Sequence, residues 1–186
     1  MTTPTTVDEL FALYESKGVA RYGESITQIE HALQTAALAG QALASDALIV
    51  AALFHDVGHL VVDVQANPSF DLDRDDDDHE AVGARVLSPI LGARVAQPVA
   101  LHVTAKRWRC TREPRYLAAL SDASRATLVA QGGPLSDEAC QRFEAHPGFH
   151  NAVALREWDD TGKVPGLEVG TLRQYEGIVR TLAELR

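Results

Sequence analysis

The chain has 186 residues, 46% hydrophobic and 23% charged, which is typical of an ordered globular protein and disfavours disorder. Its formal net charge of −9 and the aspartate-rich run DLDRDDDD (71–78) argue against a nucleic-acid partner, because phosphate backbones require a basic surface. No apolar run reaches the ~18 residues of a membrane span, and the first residues lack a signal-peptide pattern. We therefore expect a soluble cytoplasmic protein with no membrane partner, forming one domain over residues 1–186.

Apolar residues recur at helical spacing along most of the chain, and no strand-like alternation persists, so the sequence predicts an all-α fold. Ser45 or Asp46 is expected to cap the third helix, and Gly58 is expected to end it. An irregular loop is predicted over 61–77, and Asp77 or Asp78 is expected to cap the helix that follows it. The predicted helices cover residues 6–17, 27–44, 46–57, 79–91, 94–110, 114–131, 136–144, 148–160 and 168–185.

The stretch LIVAALFHDVGHL (48–60) places polar residues at the end of an apolar helix. His55 and Asp56 are adjacent, so on a helix their side chains diverge by about 100°, and both reach one cavity only if the helix ends there. His59, four residues after His55, shares its side. A lone His-Asp pair is equally typical of a helix cap. The longer form HDxGH, with His31 upstream on another predicted helix, is much more specific for a buried metal site.

These residues resemble the signature of the HD-domain superfamily, helical metalloproteins in which imidazoles and a carboxylate hold one or two ions. Further blocks make the chain similar to the PhnZ-type phosphonate oxygenases, namely YGESITQIEHALQTA (22–36), HE (79–80), LHVTAKR (101–107), LSDAS (120–124), QGGPLS (131–136) and LREWDD (155–160). This resemblance implies a single HD-domain helical bundle with a buried two-metal site. It also implies two iron ions as cofactor, in the Fe(II)/Fe(III) state, and dioxygen as co-substrate.

The resemblance also implies which residues bind metal. The first iron would take His31, His55, Asp56 and Asp159, and Asp56 would bridge to a second iron held by His79 and His102. Asp159 is preferred to its neighbour Asp160 because Arg156 lies three residues before it, on the same helical face. His146 and His150 fall outside the pattern and are not expected to be ligands.

The remaining site residues implied by the resemblance would bind the substrate. Lys106, one helical turn after His102, would anchor the phosphonate together with Ser124, Arg156 and His59. Glu24 and Gln28 would face the opposite, cationic end of the substrate, and Tyr22 is also expected to bind the substrate. Asp56, His59 and Lys106 are the implied catalytic residues.

One position departs from the family pattern. Arg21 stands where the relative that acts on the amino substrate has a tyrosine that binds iron, and Tyr22 follows one place later. This difference affects the prediction of how the cationic end of the substrate is bound more than the prediction of the metal ligands. It slightly favours a trimethylammonium substrate over the amino one.

The predicted reaction is oxidative cleavage of the C–P bond of 1-hydroxy-2-(trimethylammonio)ethylphosphonate or 1-hydroxy-2-aminoethylphosphonate. Its products would be phosphate and glycine betaine or glycine, and an upstream hydroxylase would supply this small-molecule organophosphonate. The alternative is an HD-type phosphohydrolase acting on a nucleotide or small phosphoester, which would use the same ligands without redox chemistry. A domain that only senses a ligand is a weaker alternative, since a complete open ligand set is unusual in a binding protein.

Overall fold

The computed structural model describes residues 3–22, 26–61 and 78–186, and within them the predicted all-α class is confirmed. A two-residue antiparallel pairing, which the sequence did not predict, joins β1 (Arg21–Tyr22) to β2 (Ile26–Thr27). None of the described helices is long and apolar enough to cross a membrane. The helices are α1 Val7–Lys17, α2 Gln28–Gln41, α3 Asp46–Phe54, α4 Val57–Val61, α5 His79–Leu91, α6 Ala93–Arg112, α7 Pro114–Ala119, α8 Asp122–Ala130, α9 Asp137–Glu144, α10 Phe149–Thr161 and α11 Glu176–Glu184, with a 3₁₀ turn at Leu172–Tyr175.

Side-chain caps explain where several helices begin. Thr6 and Thr27 each form a capping box, in which the threonine accepts from a backbone N–H and Glu9 or Glu30 reaches back to the threonine N–H. Ser45 accepts from the N–H of Leu48 and so starts α3 as predicted. These bonds satisfy helix N–H groups that have no partner within the helix.

Helix α3 forms the centre of the fold. Its sequence DALIVAALF is apolar around its whole circumference, and seven of its nine residues are buried. Such a helix requires partners on every side, and α2, α6, α10 and α11 all pack against it. One buried apolar cluster extends from Val7 in α1 to Leu182 in α11. That residues 1–186 form a single domain stays a prediction.

Four predicted elements differ from the structure. The predicted helix 46–57 stops at Phe54, and Gly58 lies inside the short helix α4 instead of ending a helix. The segment 114–131 is divided by Ser121, which caps α8 by accepting from the N–H of Ser124. The segment 168–185 is α-helical only from Glu176, and Asp78 begins α5 with a left-handed backbone (φ 49°) and no side-chain cap bond. The predicted loop over 61–77 lies outside the described residues, except for Val61.

Candidate metal centre

Five helical segments bring the six predicted metal ligands into one buried cavity. His31 comes from α2, His79 from the first residue of α5, His102 from α6 and Asp159 from α10, and all are at most 6% exposed. His55 and Asp56 occupy the break between α3 and α4. Because the helix ends there, both adjacent side chains enter the cavity, as the sequence analysis required.

The residues His31, His55, Asp56 and Asp159 form a first cluster. The Nε2 atoms of His31 and His55 are 3.1 Å apart. Asp56 Oδ2 lies 3.5 Å from His31 Nε2 and 3.3 Å from His55 Nε2, and Asp159 Oδ1 lies 3.3 Å from His31 Nε2. Two imidazoles and two carboxylates therefore direct their ligand atoms at a common point.

The residues Asp56, His79 and His102 form a second cluster on the other side of the same carboxylate. Asp56 Oδ1 lies 3.7 Å from His79 Nε2 and 3.8 Å from His102 Nε2, and these two nitrogens are 3.1 Å apart. Asp56 thus turns one oxygen to each cluster. This is the arrangement that a bridging carboxylate requires.

The hydrogen bonds of the histidine rings determine which nitrogen faces the cavity. Nδ1 of His31, His55 and His102 lies 2.7–2.8 Å from the carbonyl oxygen of Gly162, Ala52 and Val99 respectively. A carbonyl only accepts, so each Nδ1 carries a proton and donates it, and Nε2 of the neutral ring is left with a lone pair. Bonds of this kind fix ligand histidines in metalloproteins.

The cavity requires positive charge. Two neutral Nε2 acceptors at 3.1 Å cannot bond to each other, and Asp56 Oδ2 and Asp159 Oδ1 are buried without a hydrogen-bond donor. Although burial opposes it, the carboxylates of Asp56 and Asp159 raise the pKa of His55 to about 10, so a proton is retained there when no other cation is present. A metal ion in each cluster would satisfy the same atoms, and the residues therefore fit two ions.

Gly58 of the HDVGH motif has a packing role in this arrangement. A Cβ atom at Gly58 would overlap the backbone carbonyl of His79. Only glycine therefore lets α4 approach α5 closely enough to bring His79 beside Asp56. The sequence analysis had treated this glycine as a helix terminator.

His59 lies beside the second cluster. Its ring stacks on that of His79, with centroids 4.0 Å apart and planes at 18°. Ligand atoms of His59, His79 and Asp56 lie within 4.8 Å of one another, but imidazoles bind metals through lone pairs in the ring plane. Near-parallel stacked rings cannot both direct those lone pairs at one ion, so His59 and His79 do not share an ion in this geometry.

Lys106 is buried with neutral partners. Its Nζ donates to Thr127 Oγ1 (2.7 Å) and Gln131 Oε1 (3.1 Å), and among the described residues no carboxylate lies within 4 Å of it. Burial, followed by the charge of Arg156, lowers the pKa of Lys106 to about 7. A buried ammonium group with no described carboxylate in direct contact is suited to receive an anion. Ser124, predicted as its partner, is half-buried on the same face of α8 as Thr127.

Thr127 and Gln131 were not predicted from the sequence. A signal was present, since Ser124, Thr127 and Gln131 follow at intervals of three and four. They form one polar face along α8 and the residue that caps its C-terminus, Gln131. Nothing in the sequence indicates that this face meets Lys106 of α6, because that contact depends on how the two helices pack.

Arg156 pairs with two carboxylates on its own helix. Its Nη1 lies 2.7 Å from Asp159 Oδ2, while Nε and Nη2 donate to Asp160 Oδ1. Burial would raise the pKa of Asp159, but the charges of Arg156 and Lys163 hold it well below its usual range. Asp159 therefore stays ionised, and Oδ1 remains available to the first cluster. Asp160 also accepts from Arg109 (3.3 Å), so its carboxylate is directed at two arginines and not at the first cluster.

The structure describes the predicted cationic end of the site only in part. Gln28 is 5% exposed at the start of α2. Glu24 lies outside the described residues, and for Tyr22 only the backbone in β1 is described. His146 and His150 lie apart from both clusters, and His146 Nδ1 accepts from the N–H of Gly148.

Comparison with known proteins agrees with this geometry. The HD domain family model matches residues 28–139. The chain is 43% identical to hydroxymethylphosphonate dioxygenase of Gimesia maris over 178 residues, 96% of this chain and 88% of the relative. It is 33% identical to the glycine-betaine-forming [1-hydroxy-2-(trimethylamino)ethyl]phosphonate dioxygenase of Leisingera caerulea over 96% of this chain and 90% of the relative. Uncharacterized protein L432 of Acanthamoeba polyphaga mimivirus is 33% identical over 93% of this chain and 80% of its own length.

Proposed function

This chain belongs to the HD-domain family and, within it, to the PhnZ-type phosphonate dioxygenases; from that premise we propose that it cleaves the C–P bond of a small 1-hydroxyphosphonate with dioxygen. The observation that carries the proposal is the juxtaposition of two ligand clusters sharing Asp56 with a buried lysine one helical turn beyond His102. The two clusters offer ligands for two metal ions, and the lysine offers a positive charge for an anionic substrate.

The ligands proposed for the first ion are His31, His55, Asp56 and Asp159, and those for the second ion are Asp56, His79 and His102. Imidazole and carboxylate ligation suits iron and leaves open positions, and we propose the mixed Fe(II)/Fe(III) state. Iron supplies the one-electron chemistry with dioxygen that side chains cannot perform.

The protein's own contribution is to bind and orient the phosphonate. Lys106 donates charge-assisted hydrogen bonds to the dianion and replaces its bonds to Thr127 and Gln131 with stronger ones. Ser124 and His59 provide further hydrogen-bond donors to the phosphonate. Arg156 holds Asp159 in place through Oδ2 and adds positive charge next to Lys106. Holding the head group in this way fixes the C1 carbon against the metal pair.

We propose hydroxymethylphosphonate as the first substrate to test, because the relative named for that compound is 43% identical to this chain. Oxidation of its single carbon would yield formate and phosphate. The trimethylammonio compound, which the sequence analysis favoured slightly over the amino one, is the second candidate and would yield glycine betaine; the amino compound, the third, would yield glycine. Each compound requires a preceding reaction that hydroxylates C1 of the parent phosphonate, so an upstream hydroxylase is part of the proposal.

The test is phosphate release from each of the three 1-hydroxyphosphonates, followed by phosphorus NMR with and without dioxygen on iron-loaded protein. We expect release only with dioxygen, one equivalent of O₂ consumed per phosphate, and the highest kcat/KM with hydroxymethylphosphonate. Phosphate release that continues without dioxygen would replace the oxygenase with the phosphohydrolase. Turnover of a larger substrate in preference to hydroxymethylphosphonate would overturn the substrate assignment alone.

A further inference from the structure

The segment Gly162–Leu167, which we call the strap, follows α10 and lies against the middle of α2, at His31, Gln34 and Thr35. Residues 164–167 are exposed, so burial of their side chains contributes little to holding them. Gln34 of α2, by contrast, is 2% exposed, and within the described residues its side chain bonds to strap backbone alone. Its Nε2 donates to the carbonyl oxygens of Val164 (2.8 Å) and Leu167 (3.2 Å), and its Oε1 accepts from the N–H of Val164 (2.9 Å).

The strap begins at a residue that contacts the first cluster. Nδ1 of His31 donates to the carbonyl oxygen of Gly162 over 2.8 Å. A Cβ at Gly162 would lie 2.7 Å from Thr35 Oγ1 and 3.0 Å from Thr35 N, so only glycine allows the strap this close to α2. The position of one carbonyl oxygen therefore determines the orientation and tautomer of His31.

The same segment also reaches the carboxylate of the cluster. Lys163 Nζ lies 3.7 Å from Asp159 Oδ1, the oxygen that faces His31. Two adjacent strap residues thus act on two of the four first-cluster side chains. The described structure shows no comparable link from the strap to His79 or His102 of the second cluster.

We infer that Gln34 is a positioning residue for the first metal site, acting through the strap to hold the Gly162 carbonyl against His31. This inference rests on the proposed metal ligands. Without the three Gln34 bonds, Val164 and Leu167 lose their anchor on α2. The Gly162 N–H stays bonded to Trp158 O, but its carbonyl is then held less firmly against the His31 ring, whose Nε2 it keeps directed at the metal. Partners of this kind, which bond to a ligand and not to the metal, typically change metal affinity about 10- to 100-fold.

The experiment compares Gln34→Leu, which conserves side-chain size but forms none of the three bonds, with Gln41→Leu, an exposed glutamine on the same helix. Zinc is the probe, because it is diamagnetic and accepts imidazole and carboxylate ligands. We expect Gln34→Leu to bind one zinc ion about 10- to 100-fold more weakly and the other unchanged. Long-range ¹H–¹⁵N NMR should show the protonated Nδ1 of His31 in the wild type and an altered His31 signal in the variant, with His102 unaffected.

Gln34→Glu provides a second variant in case the leucine variant does not fold. Glutamate keeps the acceptor for the Val164 N–H but loses both donated bonds and sets a carboxylate oxygen against the Val164 and Leu167 carbonyls. The zinc affinity of this variant at the first site should therefore also fall below wild type, with the second site unchanged. Equal loss at both sites, or an unchanged His31 signal in a folded variant, would overturn the inference. If wild-type protein itself failed to bind two zinc ions, the proposed ligands would be wrong instead, so the two failures are distinguishable.

Discussion

Replacement of Lys106 by methionine should stabilise the protein while weakening substrate binding. Lys106 is 3% exposed, and burial together with the charge of Arg156 lowers its pKa from 10.5 to about 7. At about 1.4 kcal/mol per pKa unit, keeping this group charged at neutral pH costs the folded state on the order of 4 kcal/mol. Methionine removes that cost but leaves Thr127 and Gln131 without their donor, a loss of about 2 kcal/mol.

The net gain for Lys106→Met is about 2 kcal/mol at pH 7, or a rise in Tm of about 4–8 °C for a chain of this size. Between pH 7 and 10.5 the unfolded chain holds the lysine proton and the folded chain does not, so the wild type becomes more stable as the pH rises. The advantage of the variant should therefore be largest below pH 7, shrink as the pH rises and be reversed by pH 10, where the lost donor outweighs what remains of the charge cost. Loss of the charged donor should weaken phosphonate binding about 10- to 150-fold.

The assays are chemical denaturation across this pH range at equal metal content and calorimetric titration with hydroxymethylphosphonate. Lys17→Met is the matched control, since Lys17 is half-buried away from both clusters and donates to the carbonyl of Leu60 (3.0 Å). It should not be stabilised and should bind substrate normally. A Lys106→Met protein that is less stable at pH 6 and binds the phosphonate as tightly as wild type would refute both the charge argument and the anchor.

Three other substitutions test separate parts of the account. Asp56→Asn removes the charge shared by the two clusters, so elemental analysis should find both metals lost from a folded protein; one retained ion would contradict a bridging role. Gly58→Ala places a Cβ against the His79 backbone, so α4 and α5 must separate, and denaturation should show a loss of about 3 kcal/mol together with weaker second-site metal binding. Ser121→Ala removes the α8 cap and should cost about 1 kcal/mol with metal content unchanged, whereas an unchanged Tm would show that the cap is dispensable.

Local signals in the sequence were sufficient to predict much of the fold. Ser45 before an apolar run acts over three residues, so the start of α3 follows from it directly. Where a helix boundary in the structure differs from the predicted one, a contact between residues distant in sequence determines it. The break after Phe54 and the short helix α4 depend on Gly58 meeting the backbone of His79, which is far away in sequence.

The same distinction between local signals and distant contacts holds for the residues of the candidate site. His31, His55, Asp56 and His102 could be identified because their spacing and the motif around them resemble a known pattern. Thr127, Gln131 and Gln34 act through bonds to other elements, and a polar residue on a helix has no sequence mark that distinguishes an interhelical partner from a solvent-exposed side chain. The carbonyl of Gly162 carries no side-chain signal at all.

The most direct test of the central claim is a crystal structure of the iron-loaded protein with anomalous diffraction measured on both sides of the iron absorption edge. The account predicts two iron peaks per chain, one within bonding distance of Asp56 Oδ2, His31 and His55, the other within bonding distance of Asp56 Oδ1 and His102. A single peak, or two peaks with the Asp56 carboxylate bound to only one of them, would contradict it.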